Sequence, residues 1–172
     1  ITRTSADFAC AEPDQVSSYI GLALQAVLDY TQNDQGGFFT IFAETGQAYL
    51  SYIRCVDGTS PPSRQIEYAA VFPWLYQTIV TRQEVYFFNT LDDLPPEAAL
   101  DRLHLEALGN QSGLYIPYVE GSVVRYIFAL VSNTREQRWS PKLIERLKAL
   151  GAVFVNALAR QRVAEAMQRS KN

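Results

Sequence analysis

Apolar residues recur along this chain at two periods, and the switches between them mark out its elements. Val16, Ile20, Ala23, Val27 and Tyr30 form one stripe of an amphipathic helix, expected over 14–30. Pro13 suits the first turn and Asp14 complements the helix dipole. Tyr19, Leu24 and Leu28 widen the apolar surface, which predicts more than one neighbour. Asn33–Gly37 breaks the helical period, and Gly37–Ala43 and Ala48–Val56 read as two strands about a turn at Glu44–Gln47. In that register Phe39, Ile41, Leu50, Tyr52 and Arg54 share one face. Phe38, Phe42, Tyr49, Ile53 and Cys55 share the other. Asp57–Pro62 is a loop by composition.

Phe72-Pro73-Trp74-Leu75 opens a short helix, and Glu84–Phe88 is a short strand. The loop Asp92–Pro96 leads to a helix over Glu97–Leu108, which Gly109 ends. Ser112–Ser132 then holds two β-branched and aromatic runs about Glu120-Gly121, the signature of a hairpin. A turn there sets Tyr115 opposite Tyr126 and puts Pro117, Val124, Phe128 and Leu130 on their face. Leu114, Ile116, Tyr118, Val123, Ile127, Ala129 and Val131 fall on the other. Both faces are apolar, so the hairpin is expected in the middle of a sheet covered on both sides. Ser140 and Pro141 start the last helix as N-cap and first helical residue. Its stripe is Leu143, Leu147, Leu150, Phe154 and Leu158; Ile144, Gly151 and Val155 extend one flank, and Val153 and Ala157 the other. That surface spans roughly 200°, which predicts packing on the sheet and on a second helix. Tight turns between successive strands make the sheet mainly antiparallel and the class α+β.

Composition narrows the function. The chain has 172 residues, 48% hydrophobic and 19% charged, the balance of an ordinary globular domain. A net charge of −3 argues against a nucleic-acid surface. The cysteines are Cys10 and Cys55, with no CxxC, which suits a reducing, cytoplasmic setting. No apolar run reaches about 18 residues, so no membrane span is expected. A chain that opens on Ile1, with a last helix lacking a stop signal, is expected to be part of a longer protein.

The succession FPWL, a short strand, LDDLPPEA, DRLHLEALGNQS, LYIPYVEGSVV and RWSPKLIERLKALGAVFVNALARQR resembles the GAF domains found ahead of bacterial signalling effectors. The likeness runs from about Asp14 to Arg162. It divides the chain into a lead-in (1–13), a GAF domain (14–162) and a helical extension toward an output domain (163–172). It implies a mainly antiparallel sheet of five to six strands, GAF/PAS-like. Terminal helices would lie on one face, and middle helices and loops on the other, over a small-molecule pocket. It also implies a sensory or regulatory role, a fused output domain and a homodimer through the first and last helices. Tyr19, Ala23, Ile144, Gly151 and Val155 are the candidate interface. Tyr126 departs from the pattern, standing where such domains usually place a small residue; a phenol there would fill the pocket.

The candidate pocket residues follow from that arrangement: Tyr52, Arg54, Trp74, Phe88, His104, Tyr115, Tyr126 and Phe128. The aromatics form either an apolar ligand site or an ordinary core. Arg54, within an apolar strand, either snorkels to an edge or docks an anion such as a carboxylate. His104, the only histidine, is a surface residue or a haem or metal ligand, and no second Cys or His near it in sequence supports the latter. The Cys-His pair of bilin-carrying GAF domains and the cyclic-nucleotide signature are absent, and the two cysteines match the methionine-sulfoxide reductases of this fold poorly. No Ser/His/Asp set, P-loop or HExxH occurs. The expectation is therefore no enzyme, no cofactor and no metal, with an unidentified small molecule as ligand. The alternatives are a ligand-free dimerisation module and a haem or bilin sensor.

Overall fold

The computed structural model describes residues 16–56 and 63–171. The lead-in with Cys10, the helix start at Pro13 and Asp14, and the loop at 57–62 lie outside the described residues. The class is α+β. Six strands form one antiparallel sheet: β1 (Gln35–Phe42), β2 (Gln47–Cys55), β3 (Gln65–Ile66), β4 (Tyr86–Phe88), β5 (Ser112–Glu120) and β6 (Val123–Ser132). Their spatial order is β3-β2-β1-β6-β5-β4. β1 and β6 are central because both their faces carry apolar residues that need cover.

The helices α1 (Val16–Thr31) and α5 (Pro141–Lys171) cover one face. Shorter pieces roof the other: α2 (Tyr68–Val71), α3 (Pro73–Tyr76), a π turn at Gln77–Thr81 and α4 (Ala99–Ala107). Under the long helices, Phe38 of β1 stacks on Phe128 of β6 at 4.7 Å. Phe154 of α5 meets both rings edge-on, at 5.3 and 6.0 Å. Ile20, Leu24 and Leu28 of α1 and Leu147 and Leu150 of α5 close this core. Full burial of each such side chain contributes roughly 1.5–3 kcal/mol before entropy is charged against it. Among the described residues no helix is long and apolar enough to cross a membrane.

Local chemistry sets the helix ends. The Leu143 amide donates to Ser140 Oγ at 3.1 Å, and Pro141 takes the first position, where its missing N–H costs nothing. Gly109, at φ +79°, terminates α4. Its amide donates to the Glu106 carbonyl, and that of Asn110 to Leu105.

Two register findings correct the face assignments made from the sequence. The hairpin closes on Gly121-Ser122, with Glu120 opposite Val123 and Gly121 at φ +69°. Tyr118 then pairs with Tyr126 and Val119 with Val124, so Arg125 is left unopposed as a bulge. Tyr115 faces Ala129 rather than Tyr126, a displacement of three residues, and an odd displacement exchanges faces. Tyr126, Phe128 and Leu130 therefore join Leu114 and Ile116 under the long helices, while Ile127 and Ala129 join Tyr115 under the roof. In β2, Tyr52 pairs with Phe38 and Leu50 with Phe39, leaving Ser51 unopposed. That bulge turns Tyr52 toward the long helices, away from Phe39 and Ile41.

The candidate dimer residues differ in exposure. Ala23 and Gly151 are buried inside the chain, and Tyr19, Ile144 and Val155 are half-buried against the same core. The reason is a close approach of α5 to β5. The Tyr118 hydroxyl donates to the Lys148 carbonyl at 2.7 Å. A Cβ on residue 151 would overlap that phenol and come within 3.0 Å of Phe128 Cδ2, so only glycine fits. Gly151 of that flank faces the sheet, while Ile144 and Val155 stay partly exposed.

Candidate functional site

One transverse row of the sheet reads Tyr86, Tyr115, Ala129, Gly37, Ile53, each opposite the next. Its rims are bulky and its centre is a methyl group beside a glycine. That shallow centre leaves a cavity of about 80 Å³ between sheet and roof. Gly37 keeps the floor low for a second reason: a Cβ there would collide with the Tyr52 carbonyl of β2. Phe39, Ile127 and Val131 complete the floor. Tyr68, Phe72 and Leu75 form the ceiling with Leu105 and Leu108, and Gln35 and Asn110 supply amides at the margin. Among the described residues, none that lines the cavity carries a charge.

The ceiling is held by its neighbour α4. Asp101, fully buried, accepts from the amides of Trp74 (3.2 Å) and Leu75 (2.8 Å), donors of the first turn of α3 that have no partner within the helix. His104 Nδ1 lies 2.6 Å from the Val71 carbonyl, and its ring sits edge-on to Phe72 at 5.9 Å. Pro73 interrupts the helix at Phe72, and these two contacts fix the angle between the pieces.

Two buried phenols belong to the cavity. Tyr68 is 5% exposed, and its hydroxyl has no hydrogen-bond partner. Burial pushes this phenol well above the ordinary tyrosine range, helped by Tyr115 and by the negative charge of Asp101. Tyr115, stacked on Phe88 at 6.3 Å, is raised too, by burial first, then by Tyr86 and Asp101. Both therefore stay neutral, each with a proton to donate.

The sequence-derived candidates separate into three places. Tyr115 lines the cavity. Phe88 and Trp74 belong to the core around it, Trp74 edge-on to Tyr86 at 5.0 Å, and His104 braces the ceiling without lining the space. Tyr52, Arg54, Tyr126 and Phe128 are on the opposite side of the sheet, so the phenol of Tyr126 does not fill this cavity. Arg54 is exposed, and its Nε donates to Gln25 of α1 at 2.8 Å. Tyr52 donates to Gln161 of α5 at 3.2 Å. Arg162 donates to the Tyr126 hydroxyl at 3.4 Å and pairs with Glu120, which Arg125 also approaches at 3.4 Å. Arg162, by hydrogen bond and charge, and Arg125 hold the Glu120 carboxyl below its ordinary range.

Tyr68, Phe72, Leu105, Gln35 and Asn110 were not anticipated. A signal existed for the first two: Tyr68, Phe72, Leu75 and Ile79 follow helical spacing straight through Pro73. Read as a helix start, that proline hides the turn before it.

No protein-family profile and no curated protein sequence matches the chain. Solved structures do. The GAF domain region of a Geobacter sulfurreducens protein superposes with a TM-score of 0.65 at 14% identity, covering 84% of this chain and 93% of that one. The phycoerythrobilin-bound GAF domain of a cyanobacterial phytochrome gives 0.73 at 12%, covering 95% of each chain. A free methionine-R-sulfoxide reductase from Neisseria meningitidis gives 0.67 at 11%, covering 95% of this chain and 88% of that one. The chain has a GAF-like fold, which a bilin-bound phytochrome domain and a reductase share.

Proposed function

We propose that this GAF-fold chain is a non-catalytic sensor module that binds a small molecule between sheet and roof and reports occupancy through its long helices. The observation that carries this reading is the two-sidedness of β6 and β1. Ile127 and Ala129 touch the cavity, while their neighbours Phe128 and Leu130 support α1 and α5. Phe39 and Phe38 of β1 divide the same way. A shift of either strand under an occupant therefore moves the packing of the helices. Among the described residues, those lining the cavity include no acid, histidine or cysteine for acid–base or thiol chemistry, which favours sensing over catalysis. As a cytoplasmic bacterial module, the chain would pass the change to a fused output domain, as a homodimer through the outer sides of α1 and α5.

A thermal-shift screen of small molecules on the wild type and on Ala129→Leu, which raises the cavity floor, tests the reading. Saturable stabilisation that Ala129→Leu abolishes, with altered amide exchange along α5, is expected. Silence across the screen, or equal stabilisation of the variant, would favour a ligand-free dimerisation module instead.

A further inference from the structure

The cavity also specifies what kind of molecule it takes. Resting on the sensor reading above, we infer that its ligand is uncharged and mainly apolar, with a carbonyl or hydroxyl oxygen that accepts a hydrogen bond from Tyr68. Three observations converge on this class. First, among the described residues none that lines the cavity carries a charge, so an ion entering here would give up its hydration with none of them to pair against. Second, the charge felt by both cavity phenols is the Asp101 carboxylate, whose field opposes an anion. Arg54, the residue that a docked carboxylate would need, is on the far side of the sheet. Cations fare no better, since Asp101 is fully buried and already spends its oxygens on the amides of Trp74 and Leu75.

Third, Tyr68 has an unmet requirement. A buried hydroxyl without a partner is disfavoured by about 1–3 kcal/mol, and polar groups left in that state in a folded protein call for an explanation. Around it the ceiling offers the rings of Phe72 and Tyr76, each at 5.8 Å, and among the described residues no acceptor within hydrogen-bond reach. An acceptor oxygen brought in by a ligand satisfies it. The floor beneath, Ala129 beside Gly37, is flat and apolar and accommodates a ring or short alkyl body.

Matched probes of one size test this: acetophenone and benzamide (neutral acceptors), benzoate (anion), benzylammonium (cation) and ethylbenzene (neutral, no acceptor). Binding is read by ligand-observed NMR on wild type, Tyr68→Phe and Ala129→Leu, with folding checked by circular dichroism. Acetophenone and benzamide are expected to bind wild type and to be lost from Ala129→Leu. They should bind on the order of a hundredfold more tightly than benzoate or benzylammonium. Tyr68→Phe should weaken acetophenone about three- to tenfold and leave ethylbenzene unchanged. Benzoate or benzylammonium binding the cavity as tightly as acetophenone would overturn the ligand class while leaving the sensor reading intact. Acetophenone unaffected by Tyr68→Phe would remove the role of that phenol. Absence of binding by every probe up to its solubility limit would overturn the inference and the sensor reading together.

Discussion

The two faces of the sheet are built from similar amounts of apolar sequence, yet one is closed and the other holds a space. On the closed side two continuous helices lay unbroken stripes over Phe38 and Phe128, and Phe154 meets both stacked rings edge-on. On the other side the cover comes in pieces of four, four, five and nine residues, interrupted at Pro73, with a π turn as the third of them. Short pieces cannot present a long row of side chains in one direction. They are set instead by point contacts such as Asp101 to α3. Where the floor falls away at Gly37 and Ala129, nothing descends to fill it. Helix continuity, more than hydrophobic content, decides whether a sheet face closes.

The largest expected contrast is in stability. Phe128→Ala removes a ring from the closed side and should cost about 3–5 kcal/mol, against about 2–3 for Leu105→Ala, whose neighbours border existing space. Denaturant unfolding compares the two, and equal losses would mean that the faces are equally tight. Next comes Asp101→Asn, which weakens the charge-assisted capping of α3 and should cost about 1–3 kcal/mol. Amide exchange should quicken at Trp74 and Leu75 and stay unchanged at Leu147–Phe154. Quickening on both sides would show that the roof is not an independently held unit. The smallest effect belongs to Glu120, whose carboxyl is held low by Arg162 in the folded state. A depressed carboxylate contributes stability above its unfolded value, roughly 4.3, and loses it as pH falls through the folded value. With both partners nearly half exposed, the contribution should stay under about 1 kcal/mol. Acid titration followed by circular dichroism should show the distal part of α5 loosening below about pH 4 in wild type but not in Glu120→Gln.

Much of the architecture was legible because it rests on local chemistry. The Trp-Ser-Pro start of α5, the stop at Gly109 and the apolar hairpin each carry their reason in a few adjacent residues. The site was less legible because it depends on pairing. Whether Tyr126 or Ala129 lies across from Tyr115 turns on which two residues close the hairpin, and both Glu120-Gly121 and Gly121-Ser122 contain the necessary glycine. The bulges at Ser51 and Arg125 add one residue each to one strand of a pair, and composition does not announce them. The low floor is a cross-strand fact, visible only once Gly37 and Ala129 are neighbours.

Tyr118 seated against Gly151 acts as a fulcrum. Turning α5 by one residue, about 100°, would bring a side chain onto the phenol, so neither screw nor piston motion is open to the helix without unseating it. Tilting is open. Ten residues separate Pro141 from Gly151 and twenty separate Gly151 from Lys171, so the arms are roughly 15 and 30 Å long. A displacement of the short arm, which begins beside the buried Trp139, is therefore doubled at the far tip, and in the opposite direction.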